Sequence, residues 1–186
     1  MILQNGIILY HGSYTEVKNI DLSLCSAGKD FGRGFYLTTD LNQAIRFVKT
    51  AVGKAEKNGL IGINSAKGFV SSFLYVAKND VSVFEFDSAD RDWLHCVVAH
   101  RRSGVLSPEL KKWQNYDIIA GKIANDTTNS VITAYINGAY GEVGRGSADT
   151  IAMQLLLPNK LKEQICFRTE KSVICLSFLK SEEIRI

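Results

Sequence analysis

Apolar positions recur along this chain with two periods, each marking a different kind of element. From Gly6 to Tyr10 they are almost continuous and then stop at His11, Gly12 and Ser13, the pattern of a short strand that delivers His11 to its end. Gly32, Arg33, Gly34, Phe35, Tyr36, Leu37 and Thr38 read as a second, glycine-hinged strand rich in aromatic and β-branched types. Directly after it the period lengthens. Leu41, Ala44, Ile45, Val48, Ala51 and Val52 recur at helical spacing behind a cap at Thr39 or Asp40, which predicts a helix to about Lys57.

Further on, Gly68 to Val76 and Val81 to Phe86 predict two strands, with Asn79 and Asp80 as the turn of a hairpin. Asp87 or Ser88 caps a helix from Asp90 to Arg101 that turns Trp93, Val97 and Val98 toward a core. Pro108 to Trp113 predicts a short helix, Tyr116 to Ala120 a strand, and Thr128 to Tyr140 a helix, as does Ala148 to Leu157, closed by Pro158. Gln164 to Arg168 and Val173 to Phe178 predict a last hairpin. Strands cluster early and late instead of alternating with helices. The expected fold class is therefore α+β, with split, mainly antiparallel sheets and flanking helices, rather than a doubly wound parallel sheet.

Composition narrows the picture only slightly. A length of 186 residues suits one domain over residues 1–186, and 46% apolar with 22% charged residues is ordinary for a packed globular protein. The net charge of +3 comes from interspersed basic and acidic side chains, too weak and too mixed to argue for nucleic acid, while phosphate-bearing ligands stay open. The opening apolar run is broken by Gln4 and Asn5 and has no basic flank before Lys18, so neither a signal peptide nor a membrane span is expected, and the expected address is cytoplasmic. Cys25, Cys96, Cys166 and Cys175 lack C-x-x-C spacing and read as buried thiols, so no metal is expected. His95 and His100 stand five apart, on different faces of one helix, and read as structural. Gly141, Gly144 and Gly146 form a loop with no strand before it, unlike a dinucleotide fingerprint.

The candidate chemistry sits in the first two strands. A histidine at a strand end can donate a ring N–H to a ribose hydroxyl while the fold holds its other nitrogen, and the glycine after it lets backbone N–H and C=O approach a flat carboxamide. Tyr10-His11-Gly12-Ser13 followed by Gly32-Arg33-Gly34-Phe35-Tyr36-Leu37 resembles the first two signatures of the ADP-ribosyltransferase superfamily. The resemblance is to its histidine–tyrosine–glutamate clade, shared by poly-ADP-ribose polymerases and diphtheria toxin, and to a small bacterial family of uncharacterised proteins placed in that superfamily. The clade's third position falls late, on a strand, where Glu163-Gln164-Ile165-Cys166-Phe167 lies.

The resemblance implies an ADP-ribosyltransferase-like fold and a mono-ADP-ribosyltransferase that uses NAD+ as substrate, needs no metal, and passes ADP-ribose to an unknown acceptor, whether protein, nucleic acid or small molecule. It assigns catalytic positions to His11, Tyr36 and Gln164, with His11, Gly12, Ser13, Tyr36 and Phe47 binding NAD+; Phe47 is the helix aromatic eleven places after Tyr36. Lys29, Arg33 and Arg46 are candidates to meet the pyrophosphate, although each singly reads as a solubilising charge. Two departures stand out. Ala44 occupies the place of a carboxamide-binding serine, leaving that role to Gly12 with Ser13 or Gln43, and Gln164 stands where the clade has glutamate. The second keeps open an alternative, an NAD- or ADP-ribose-binding module without turnover.

Overall fold

The structure, a computed structural model, describes residues 3–124, 126–156 and 161–186. Its first strand β1 (Ile8–Ser13) pairs antiparallel with β3 (Lys67–Tyr75), and β3 with β7 (Leu176–Arg185), giving a three-stranded sheet in the order β1-β3-β7. A second sheet runs β2 (Phe35–Leu37), β6 (Glu163–Phe167), β5 (Ile118–Lys122), β4 (Val83–Glu85). Its β2–β6 and β6–β5 pairs are antiparallel and only β5–β4 is parallel. The fold is thus α+β with mainly antiparallel split sheets, as the strand pattern predicts.

Both predicted hairpins dissolve into this topology. β3 belongs to the first sheet while β4 pairs in the second, and β6 lies in the second sheet while β7 lies in the first. Local turn residues were visible at each place, but the strands on either side bury their apolar faces against different partners, and that burial decides the pairing. Between β6 and β7 runs a short helix, α5 (Glu170–Val173), held by a capping box in which Thr169 and Ser172 satisfy each other's backbone.

The remaining helices cover the two outer faces. α1 (Leu41–Lys57) starts at Asp40, whose carboxylate accepts from the Gln43 N–H, and lays Ala44, Val48 and Val52 on the first sheet. α2 (Arg91–Arg101) is capped by Asp90 itself and not by Asp87 or Ser88. With α3 (Asp126–Ile136) and α4 (Gly146–Leu156) it covers the second sheet, where Trp93, Val97, Ile119, Ile132, Tyr135 and Cys166 form the larger core. Pro158, the predicted stop for α4, lies outside the described residues. Between the sheets Leu9, Phe35, Leu37, Phe73, Ile118, Ile165 and Phe167 form the second core. The layers therefore run α1, first sheet, second sheet, α2 to α4, and strand alternation sends successive residues of β2 and β6 into different cores. That alternation decides where each candidate side chain points.

Candidate functional site

The two sheets touch at one backbone corner. The Tyr10 N–H donates to the Thr38 carbonyl at 2.8 Å and the Thr38 N–H to the Tyr10 carbonyl at 3.0 Å. Peptide groups of an antiparallel strand alternate between its two edges, so the N–H and C=O of Gly12 leave β1 on the same side as those of Tyr10, past the end of β2. Neither has a hydrogen-bond partner among the described residues. A Cβ at Gly12 would collide with the Ala44 carbonyl of α1, so the glycine is required by helix packing as well as by any ligand. The alanine at position 44 has the same cause, because it is buried on that sheet.

His11 stands at this corner, half-buried, with its ring 4.4 Å from that of Phe35. Its Nδ1 lies 2.7 Å from the Tyr36 carbonyl. A carbonyl only accepts, so Nδ1 carries the proton. Burial holds the pKa below the ordinary histidine value, the imidazole is neutral near pH 7, and Nε2 is then an acceptor. It can take a hydrogen bond from a ribose hydroxyl rather than give one, which reverses the direction expected from the sequence. Ser13 is buried and its hydroxyl accepts only a long contact, 3.5 Å, from the Thr15 N–H.

One turn of α1 links this corner to β6. Gln43 Nε2 donates to the Glu163 carbonyl at 3.0 Å, which fixes the orientation of the amide and leaves its Oε1 buried without a partner. Glu163 itself pairs with Lys122 at 2.9 Å, on the face of the second sheet that also carries Leu37 and Ile165. Phe47, further along α1, is 44% exposed and carries Lys54 5.9 Å from its ring centre, so it is not a core aromatic.

Tyr36 and Gln164 take the other face. The Tyr36 hydroxyl donates to the Gly32 carbonyl at 2.8 Å and accepts the Phe31 N–H at 2.9 Å, and its ring packs on the helical core. The glycines before it are packing glycines too: Gly32 has φ +84° and abuts His100, and Gly34 abuts Cys166. Gln164 is buried and donates to Asp30 at 2.6 Å. Asp30 also accepts from Arg101 at 2.8 Å and from the Ala124 N–H at 2.9 Å. His11 and Tyr36 are therefore on touching strands of different sheets, joined through the Tyr36 backbone, while their side chains diverge. Tyr36 and Phe47 do not stack on each other, and Gln164 does not share a face with His11.

Sequence reasoning missed Asp30 and Arg101, and within the segment Glu163 to Phe167 it assigned a role to Gln164 alone. The available signal was the alternation itself: Phe35, on the His11 side, pairs with Phe167, and two-residue steps from Phe167 lead to Ile165 and Glu163, never to Gln164. A third network, outside the signatures, joins helices α2 to α4. Asp149 accepts from Tyr135, from Arg91 at 2.6 Å and from His95 at 3.2 Å, and Tyr135 and Arg91 hold Gly144 of the glycine-rich loop. The thiol of Cys166 is pushed up to about 12 by burial, and that of Cys96 is also raised, so neither is a nucleophile at neutral pH. Among the described residues no three His, Cys, Asp or Glu side chains gather as a metal would require, and no helix is long and apolar enough to cross a membrane.

Such a chain, an α+β domain with a polar corner between split sheets, matches a known family profile over residues 7–178, that of protein of unknown function DUF3990. The protein belongs to that family. No curated protein and no solved structure matches it.

Proposed function

We propose that this protein is an NAD+-dependent mono-ADP-ribosyltransferase of ADP-ribosyltransferase-like fold, with its site at the corner between the sheets. The observation that carries the reading is the His11–Tyr36 carbonyl bond, which joins the two signature segments at the corner and leaves Nε2 as an acceptor. Gly12 N–H and C=O match the acceptor and donor of a carboxamide. Phe47 supplies an exposed ring to lie against nicotinamide.

The chemistry is a displacement at the anomeric carbon. The bond from ribose C1′ to the nicotinamide nitrogen breaks with its electron pair going to the ring, which leaves as neutral nicotinamide. Positive charge then spreads over C1′ and the ring oxygen until an acceptor nucleophile bonds to C1′ and loses its proton. A carboxylate near that carbon stabilises the transition state, and Glu163, on the Phe35 and Leu37 side of β6, supplies it while Lys122 holds it in place. Gln164 serves instead as a buried brace for Asp30.

The test is nicotinamide release from NAD+ by the purified protein in the presence of cell lysate, compared with His11→Ala. Release that the variant lacks supports the reading; equal release by both overturns it. A second reading, an NAD- or ADP-ribose-binding module, is favoured by the engagement of Tyr36 and Gln164 in closed networks. NAD+-dependent thermal stabilisation without release under any acceptor would select it.

A further inference from the structure

A concave site of about 470 Å³ opens on the helical side of the second sheet, away from the corner, where the loop at Gly28 to Asp30 and the end of α2 face α3. That volume suits a small organic ligand. Asn129 and Thr133 line it from α3 and Asn137 from the turn just past its end, at intervals of four and hence along one stripe, with Ile132 and Ile136 beside them as an apolar wall.

The side-chain hydrogen bonds around this site leave mainly donors unused. Arg101 is engaged on all sides, by Asp30, by Asn129 Oδ1 at 2.8 Å and by the Ala124 carbonyl at 2.9 Å. Arg102 makes a single bond, from Nη1 to Asn137 Oδ1 at 2.7 Å, and pairs with no carboxylate among the described residues. The Lys29 ammonium has no partner among them at all. Arginine only donates, so both asparagine oxygens are fixed on the arginines and both amide NH2 groups are the unused ends. What the site still offers is thus a lysine ammonium, arginine N–H groups and two amide N–H2 groups, with the Thr133 hydroxyl able to act either way. The one carboxylate, Asp30, is neutralised by Arg101.

We propose that this site binds a phosphate monoester carried on a sugar or nucleoside, with the phosphate between Lys29 and Arg102 and the body against Ile132 and Ile136. A dianion answers the two unpaired cations, and its oxygens accept from side chains whose unused ends, the Thr133 hydroxyl apart, only donate. Lys29 also gains directly. Desolvation, then the like charge of Lys54, lowers its pKa, and an anion beside it offsets that repulsion. The site stands independently of the corner and of the reaction assigned there.

Calorimetric titration of the full chain with AMP, adenosine and inorganic phosphate tests this. AMP should bind, adenosine and inorganic phosphate more weakly, and Lys29→Ala and Arg102→Gln should each weaken AMP about tenfold, the scale of one charge-assisted hydrogen bond. Both side chains are exposed, so both variants should fold. His11→Ala should leave AMP affinity unchanged while removing nicotinamide release, which separates the two sites. Adenosine binding as tightly as AMP, inorganic phosphate binding as tightly as AMP, no AMP binding at millimolar concentration, or AMP affinity indifferent to both substitutions would each overturn the proposal.

Discussion

The corner between the sheets and the buried networks around Asp30, Tyr36 and Asp149 are built from the same kinds of residue and differ in how completely their hydrogen bonds close. Across the sheet, Asp30 takes donors from Arg101, Gln164 and Ala124, Tyr36 both donates and accepts, and Asp149 takes three side chains. At the corner, His11 Nε2, the Gly12 peptide groups and Gln43 Oε1 have no partner among the described residues. Buried polar groups are nearly always paired, and a closed network makes a structure rigid where an open one awaits a ligand. Two of the residues that most resemble catalytic ones, Tyr36 and Gln164, belong to the closed region.

The largest expected effect breaks the closed side. Asp30→Ala strands the Arg101 guanidinium and the Ala124 N–H in the interior, and removal of one partner of a buried pair costs about 3–5 kcal/mol. Urea unfolding should show that loss. A variant within about 1 kcal/mol of the parent would mean that water replaces the carboxylate and that the network is less closed than its distances imply.

Next in size is the contrast between neighbours on β6. Glu163→Gln should lower nicotinamide release about 10²–10³-fold, the cost of one preorganised electrostatic group, with NAD+ affinity little changed. Its stability should barely move, because the partly exposed Lys122 pair contributes at most about 1 kcal/mol. Gln164→Ala should do the opposite, losing about 1–3 kcal/mol of stability with its charge-assisted bond to Asp30, which keeps Arg101 and the Ala124 N–H, while the folded fraction keeps its turnover. The reverse pattern would return the catalytic role to Gln164 and the groove to the Tyr36 face.

How far the sequence reveals these two regions follows from what each depends on. α1 was legible to within a residue because its period and its cap at Asp40 are local, and β1, β2 and β6 were found for the same reason. The hairpins were misread because pairing is decided by which core each strand joins, a long-range quantity. The His11–Tyr36 proximity was legible from two short motifs, yet the divergence of their side chains was not. It rests on a single-residue alternation in β2 and on a hydroxyl that turns back to Phe31 and Gly32. Asp30 and Arg101 are 71 positions apart, and nothing in either segment announces the other.

A smaller effect sharpens the open side. Phe47→Ala removes an exposed ring, so it should leave unfolding free energy unchanged and weaken NAD+ by about 1–3 kcal/mol if the ring stacks on nicotinamide. Titration calorimetry reads both arms. Unchanged affinity in the folded variant would remove the aromatic from the site and leave His11 and Gly12 as its whole recognition surface.

The smallest effect compares one histidine from each region. His11 bonds the Tyr36 carbonyl and His100 the Cys96 carbonyl, and burial lowers both pKa values below the ordinary 6.5. The unfolded chain then takes up protons that the folded chain refuses. Stability is intact above pH 6.5 and falls as pH drops from there toward each folded pKa, by at most about 1.4 kcal/mol per pH unit per group. His11→Gln and His100→Gln should each flatten part of that slope in urea unfolding between pH 5 and 8, and the two reductions should add because the rings lie in different layers. NAD+ affinity separates them. Protonated His11 presents a charge to a ligand whose nicotinamide ring is itself positive, so affinity should fall with pH in the parent and in His100→Gln, and lose that dependence in His11→Gln. A pH dependence of NAD+ binding that survives His11→Gln would place the titrating group, and with it the ligand, on the closed side of the second sheet.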